Sequence, residues 1–322
     1  MRGYGERDLT IDNLQLSIPK NDPEQELNEA GSIELYLSAA TSANTRRAYR
    51  TDWRDFQLWG GCLPSSPEVV AAYIAHRAAT LSPHTLSRRL VGIGRAHASH
   101  GLDNPAKSNL VQKVMRGIRR THGVPQRRVA PLMKQDLIKI ISLVGGTKGP
   151  RDRALLLVGF AGAFRRSELV GLNVEDFTFS SEGLLIQLRR CKTDQVGEGR
   201  SIAIPFGRTG TCAVIAMRAW LLHSNVETGA AFRSIGKSGR VGGGLSAQSV
   251  GAILKAYASR AGISPELIAG HSLRAGFVTS AAQAGAAVNQ IQQQTGHKSL
   301  AMLARYIRDG RLFQDNACAL LL

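Results

Sequence analysis

Apolar positions recur at helical spacing through the first third of the chain. Between residues 45 and 61, Tyr49, Trp53, Phe56 and Leu58 fall near one face. Asn44 or Thr45 can cap the start, and Gly60 and Gly61 stop the run. A second helix follows Pro67 through Val69, Val70, Tyr73 and Ile74, and a third opens at Ser82 and Pro83 and ends at Gly101. A fourth, Ser108 to Arg120, sets Leu110, Val111, Val114, Met115 and Ile118 on one stripe and Lys113, Arg116, Arg119 and Arg120 on another.

Residues 121–131, THGVPQRRVAP, break this periodicity and read as a linker. Helical stretches at 134–144 and 151–170 then lead into β-rich segments, FTFSS, EGLLIQLRRCKTD and RSIAIP. Helices return at 211–224, 246–261, 272–284, 287–295 and 299–308. The expected fold is mainly α: a helical N-terminal bundle over 35–120, then a mostly helical domain over 132–322 with one small antiparallel β-sheet. The apolar run Ala154 to Phe164 is too short to span a membrane and predicts a buried helix.

Charge adds a partner to this outline. The 322 residues carry 41 Lys and Arg against 24 Asp and Glu, a net +17. Such an excess argues against an acidic scaffold and points to a polyanion such as nucleic acid. Its distribution is uneven. Residues 1–34 hold 3 basic and 8 acidic groups (−5) and read as a disordered acidic leader. Residues 35–130 hold 15 and 4 (+11) and 131–322 hold 23 and 12 (+11), which suggests two lobes gripping one polyanion. Arg46, Arg47, Arg50, Arg88, Arg89, Arg95, Lys113, Arg116, Arg119 and Arg120 are the candidate phosphate contacts of the first lobe. The N-terminus has no apolar signal region, so a cytoplasmic protein, nucleoid-associated when on DNA and without membrane contact, is expected. Cys62, Cys191, Cys212 and Cys318 form no CxxC pair, and no GxxxxGK loop occurs, so neither a metal nor a nucleotide cofactor is implied.

Five islands in the second lobe bear on chemistry: GAFRRSELVGL, RRCKTD, HSLR, TGHKS and LARYIRDG. They present Arg165 and Glu168 at i, i+3, Lys192 by a hairpin turn, His271 and Arg274 one helical turn apart, His297, and Tyr306. Two guanidiniums suit the non-bridging oxygens of a phosphodiester whose charge grows in an in-line displacement. A tyrosine phenol is a weak nucleophile unless a base or positive field helps it ionise, and histidine or lysine can move the protons. The set covers each role without a metal.

In order and spacing these islands resemble the tyrosine recombinases of the phage-integrase family, and within it the Cre-like members. The likeness spans roughly 35–322, and SANTRRAY, SPHTLSRRL and LVQKVMRGIRR are similar to the family's core-binding domain. The resemblance implies a site-specific recombinase that cuts and rejoins DNA through a 3'-phosphotyrosyl intermediate and a Holliday junction, without ATP or metal. It implies that Arg165 and Arg274 bind the scissile phosphate, that Lys192 protonates the leaving 5'-oxygen, and that His271 assists the nucleophile Tyr306. His297 would donate to a non-bridging oxygen and Glu168 would order the site. The implied partners are double-stranded DNA with paired inverted-repeat sites and three further copies of the chain in a homotetramer. The apolar cluster Ala317, Ala319, Leu320, Leu321 and Leu322 at the C-terminal end is costly to leave in water and is expected to dock on a neighbouring protomer, the alternative being its own. A relaxing type IB topoisomerase and a non-catalytic DNA-binding protein are the alternatives.

Overall fold

In a computed structural model of the chain, residues 36, 40–123, 129–189, 199–208, 210–310, 318 and 321 are described. The leader, the centre of the linker, Lys192 and most of the C-terminal tail lie outside the described residues. The chain divides into two compact units, Met1–Gln126 and Arg127–Leu322.

Among the described residues the first unit has the α-helices α1 (Ala43–Trp59), α2 (Pro67–Arg77), α3 (Pro83–Ala98) and α4 (Asn109–His122). Each begins on a serine, Ser42, Ser66, Ser82 or Ser108, whose hydroxyl accepts a backbone N–H of the first turn. The cap of α1 is therefore Ser42, ahead of the expected Asn44 or Thr45, and Gly60 ends the helix at φ 112°. Trp53, Phe56, Tyr73, Ile74, Leu86, Ile93, Val111 and Met115 meet in one core. Leu58 and Leu110 lie outside it and are exposed, because each stands off the apolar stripe of its helix.

The second unit is a helical body around a three-stranded antiparallel sheet, β1 (Phe177–Phe179), β2 (Gly183–Leu188) and β3 (Arg200–Pro205), in the order β1-β2-β3. Alternate residues Leu184, Ile186, Leu188, Ile202 and Ile204 face the core. Helices α5 (Lys134–Ser142), α6 (Gly149–Ala161), α7 (Arg166–Val170), α8 (Ala213–Ser224), α9 (Ala247–Arg260), α10 (Ser272–Gln283), α11 (Val288–Thr295) and α12 (Leu300–Gly310) complete it.

Two features depart from expectation. A second sheet, β4 (Arg233–Ile235) with β5 (Val241–Gly244), was not legible, because VGGG carries no apolar alternation. The expected helix 151–170 is two helices, broken where Ala163 adopts φ 49°. Close packing also has a specific requirement at α10: a side chain at Gly276 would meet the Leu132 carbonyl at 1.7 Å, and the Leu132 N–H donates to Ser272 O at 3.0 Å. Only glycine lets the segment entering this unit lie against that helix. Among the described residues, no helix is long and apolar enough to cross a membrane and no cluster of His, Cys, Asp and Glu could hold a metal.

Candidate active site

The break after α6 positions the first arginine. Arg165 is the N-cap of α7, and its backbone N–H donates to Glu168 Oε2 at 2.9 Å, as in a capping box. The guanidinium also donates to Glu168 Oε1 at 2.5 Å, so one buried carboxylate orients both ends of the residue. Arg165 and Glu168 thus meet across a helix start.

The second arginine is held differently. Arg274 lies in the first turn of α10 with 1% of its surface exposed. Its guanidinium donates to Ala163 O at 2.6 Å, and this contact uses the left-handed turn at the break. A non-glycine residue in that conformation costs on the order of 1 kcal/mol, which the surrounding packing must offset. A second Arg274 nitrogen lies 3.3 Å from His297 Nε2, and its Nε is buried without a hydrogen-bond partner. Burial, and next the charge of Arg165, lower its pKa to about 10, so it stays cationic at neutral pH. Among the described residues no carboxylate pairs with it directly. A buried cation in this state is costly until an anion arrives.

His297 follows α11, which ends at Gly296 with φ 63°. The turn is fixed from both sides. Arg200 donates to Gln294 O at 3.0 Å and Gln292 Nε2 donates to His297 O at 2.9 Å. The ring lies between Arg274 and Thr295, whose Oγ1 is 2.7 Å from His297 Nδ1. Burial, then the charges of Arg274 and Arg165, push its pKa down to about 4.

Tyr306 completes the cluster from α12, partly buried against Val278, Ala282, Ile291 and Leu303. Its hydroxyl lies 3.2 Å from Nε2 of His271, the residue that caps the start of α10. Withdrawal from water, then Arg274 and Arg165, lower the pKa of His271, so its ring is neutral at neutral pH and Nε2 can accept the phenol proton. Lys192 lies outside the described residues, in the connection between β2 and β3, whose paired ends are Leu188 and Arg200. Arg165, Glu168, His271, Arg274, His297 and Tyr306 come together; Thr295, Arg200 and the backbone of Ala163 support them and were not singled out by sequence reasoning. Their signal was proximity: Thr295 stands two residues before His297 and Ala163 two before Arg165.

The basic residues of the first unit fall into two groups. Arg46, Arg47, Arg50, Arg88, Arg95, Lys113, Arg116, Arg119 and Arg120 are exposed. Arg95 lies over the Tyr49 ring at 5.4 Å and Arg119 donates to Ser87 at 3.1 Å. Arg89 is a correction. Its side chain is 11% exposed and bonds Asp55 and the Tyr73 hydroxyl, while Arg77 pairs with Asp55 at 3.2 Å. Neighbouring Arg88 reaches the buried Asp52 at 2.8 Å. Asp52 and Asp55, unremarked in the sequence, turn Arg89 inward.

A family model described as the phage integrase family matches residues 131–311. An integrase/recombinase xerD homolog from Selenomonas ruminantium is 41% identical over 295 residues, 87% of this chain and 86% of that protein. Recombinase cre of Escherichia phage P1 is 25% identical, over 76% of this chain and 77% of the relative, so the likeness to Cre is one among several. In fold, the chain is similar to XerH site-specific recombinase bound to a palindromic difH substrate, with TM-score 0.66 and 18% identity over 92% of this chain and 86% of that one.

Proposed function

The chain belongs to the phage integrase family and is a tyrosine site-specific recombinase, and from that premise we propose that Tyr306 is its nucleophile toward a DNA phosphodiester clamped by Arg165 and Arg274. The observation that carries this reading is the 3.2 Å contact between Tyr306 and His271 beside the buried Arg274, whose Nε has no hydrogen-bond partner. His271 Nε2 takes the phenol proton as the tyrosine oxygen attacks phosphorus. The bond to the 5'-oxygen breaks, Lys192 protonates that oxygen, and the 3'-phosphate remains on Tyr306. The two guanidiniums stabilise the charge that develops on the non-bridging oxygens. Glu168 fixes Arg165, and His297 adds a donor once Arg274 turns to the phosphate. Attack by a 5'-hydroxyl of the partner duplex reverses the chemistry, so rejoining consumes no ATP.

One tyrosine cuts one strand. Exchange between two duplexes therefore takes four protomers on paired inverted-repeat sites, acting in pairs through a Holliday junction. The exposed arginines and lysines of the first unit, Arg89 excepted, supply sequence-independent phosphate contacts. The fold and charge of residues 35–120 support a core-binding role, and 132–322 carry the chemistry.

The test uses a duplex enriched from a random pool on the Tyr306→Phe protein. Wild-type protein forms a denaturant-resistant adduct with it, whereas Tyr306→Phe binds equally and forms none; adducts from that variant would reassign the nucleophile. Supercoiled DNA lacking the site stays supercoiled and paired sites give recombinants, while relaxation of site-free DNA would favour a topoisomerase.

A further inference from the structure

The Thr295 hydroxyl has one hydrogen, and its direction is set. Thr295 is fully buried; its Oγ1 lies 2.7 Å from Ile291 O, one turn back on α11, and 3.3 Å from Gln292 O, and carbonyls only accept. With that hydrogen directed to Ile291, Oγ1 offers His297 Nδ1, at 2.7 Å, a lone pair. The opposite face of the ring agrees. Arg274 can only donate, so His297 Nε2, at 3.3 Å from its guanidinium, must present a lone pair to it. Both neighbours select one state, a neutral ring carrying its hydrogen on Nδ1. The reading of the site given above asks for the reverse at Nε2, a donor to a non-bridging phosphate oxygen.

We infer that Thr295 is a positioning residue that holds His297 as the Nδ1–H tautomer, so that phosphate binding draws a proton onto Nε2. The inference rests on the assignment of Arg274 and His297 to the scissile phosphate. Arrival of the anion turns the Arg274 donor toward phosphate and leaves a lone pair facing an oxyanion, which is repulsive until Nε2 is protonated. Thr295 accepts from Nδ1 in the neutral ring and in the imidazolium alike, so the ring keeps its orientation while its charge changes. Among the described residues the groups that face the ring are Arg274 from α10, His271 just before it, Arg165 at the start of α7 and Arg200 from β3, with Glu168 held on Arg165. The cations Arg274, Arg165 and Arg200 oppose a proton in the free site, and a bound phosphodiester supplies the compensating charge. Without the Thr295 acceptor the ring is released to the Nε2–H tautomer, which donates to phosphate with no proton taken up.

The test reads the tautomer directly. Long-range 1H–15N correlation spectra of full-length protein labelled at histidine, with His297→Gln for assignment, separate Nδ1–H, Nε2–H and doubly protonated rings. Wild type and Thr295→Ser are expected to show Nδ1–H near pH 7, and Thr295→Val to lose that signal in favour of Nε2–H. Sulfate, which does not titrate near neutrality, stands in for phosphate and should drive the wild-type ring, but not the valine variant's, to the doubly protonated form. In adduct formation on the selected duplex, the wild-type rate falls toward high pH with a slope approaching about tenfold per pH unit for one proton; Thr295→Val flattens that fall and Thr295→Ser restores it. An Nε2–H ring in wild-type protein, or a pH profile unchanged by valine, overturns the inference. The wild-type spectrum suffices for falsification whatever the stability of the valine variant. It is recorded without DNA, so its outcome is separable from a failure of Tyr306 to form an adduct, which bears on the function alone.

Discussion

Each of the two units of this protein turns an arginine inward, Arg89 in the first and Arg274 in the second, and they surround the charge differently. In the first, Arg77, Arg88 and Arg89 share two carboxylates, Asp52 and Asp55, and the Tyr73 hydroxyl donates to Asp55. In the second, Arg165 has Glu168, but Arg274, more deeply buried, has among the described residues a carbonyl oxygen and a neutral imidazole. Residue type and burial do not distinguish structural from functional arginines. Nor does a carboxylate partner alone, since Arg165 keeps Glu168; what sets Arg274 apart among the described residues is full burial with no carboxylate paired to it, so that an incoming anion stabilises it most.

The sharpest way to break this comparison is to remove both kinds of charge while keeping volume. Arg274→Met should slow adduct formation by on the order of 100-fold or more, since it deletes a transition-state donor. Its thermal stability should hold or rise, because a buried charge without a carboxylate is replaced by an apolar chain. A loss below tenfold, or a large fall in melting temperature, would contradict the contrast.

Arg89→Met should do the reverse. It takes one cation from Asp55, which keeps Arg77 and the Tyr73 hydroxyl, and chemical denaturation should show a loss of about 2 kcal/mol, below the full cost of breaking a buried pair because Asp55 retains these partners and is partly solvated. Adduct formation per folded molecule should be unchanged. Equal stability with weakened DNA binding would restore Arg89 to the phosphate-contacting set.

A smaller, pH-limited effect sharpens the second half of the comparison. The folded-state pKa of His297 is lowered to about 4 from an ordinary 6.5, so the folded protein binds fewer protons than the unfolded chain between these values. Stability from this residue is complete above pH 6.5 and is lost as pH falls toward 4. Urea unfolding at pH 5.5 should show wild type losing roughly 1 kcal/mol relative to His297→Asn, compared with pH 7.5. Sulfate should reduce that difference by supplying the missing anion.

Local signals carried much of the first unit. Serine caps, glycine stops and an apolar stripe on each helix depend on residues a few positions apart, and the helices appear near the predicted places. The same locality explains the errors. The run from 151 to 170 looks like one helix because nothing within it reveals that Arg274, more than a hundred residues away, takes the carbonyl of Ala163 and packs against the break. Strands β4 and β5 were missed because glycines leave no pattern to read. Arg89 looks like a phosphate contact in the sequence because Asp52 and Asp55, which turn it inward, lie on another helix, 34 or more residues earlier.

By itself the sequence determined the helical class, the basic balance and the ordered set of Arg165, Lys192, His271, Arg274, His297 and Tyr306, because residue types and their spacing along the chain are enough to pose that chemistry. Tertiary structure alone decided that Arg274 is buried with no carboxylate paired to it among the described residues, that the His297 ring lies between Arg274 and Thr295, and that the Tyr306 hydroxyl lies 3.2 Å from His271. Electrostatic balance and hydrogen-bond direction depend on distances of about 3 Å between groups far apart in the chain, and only folding sets those distances.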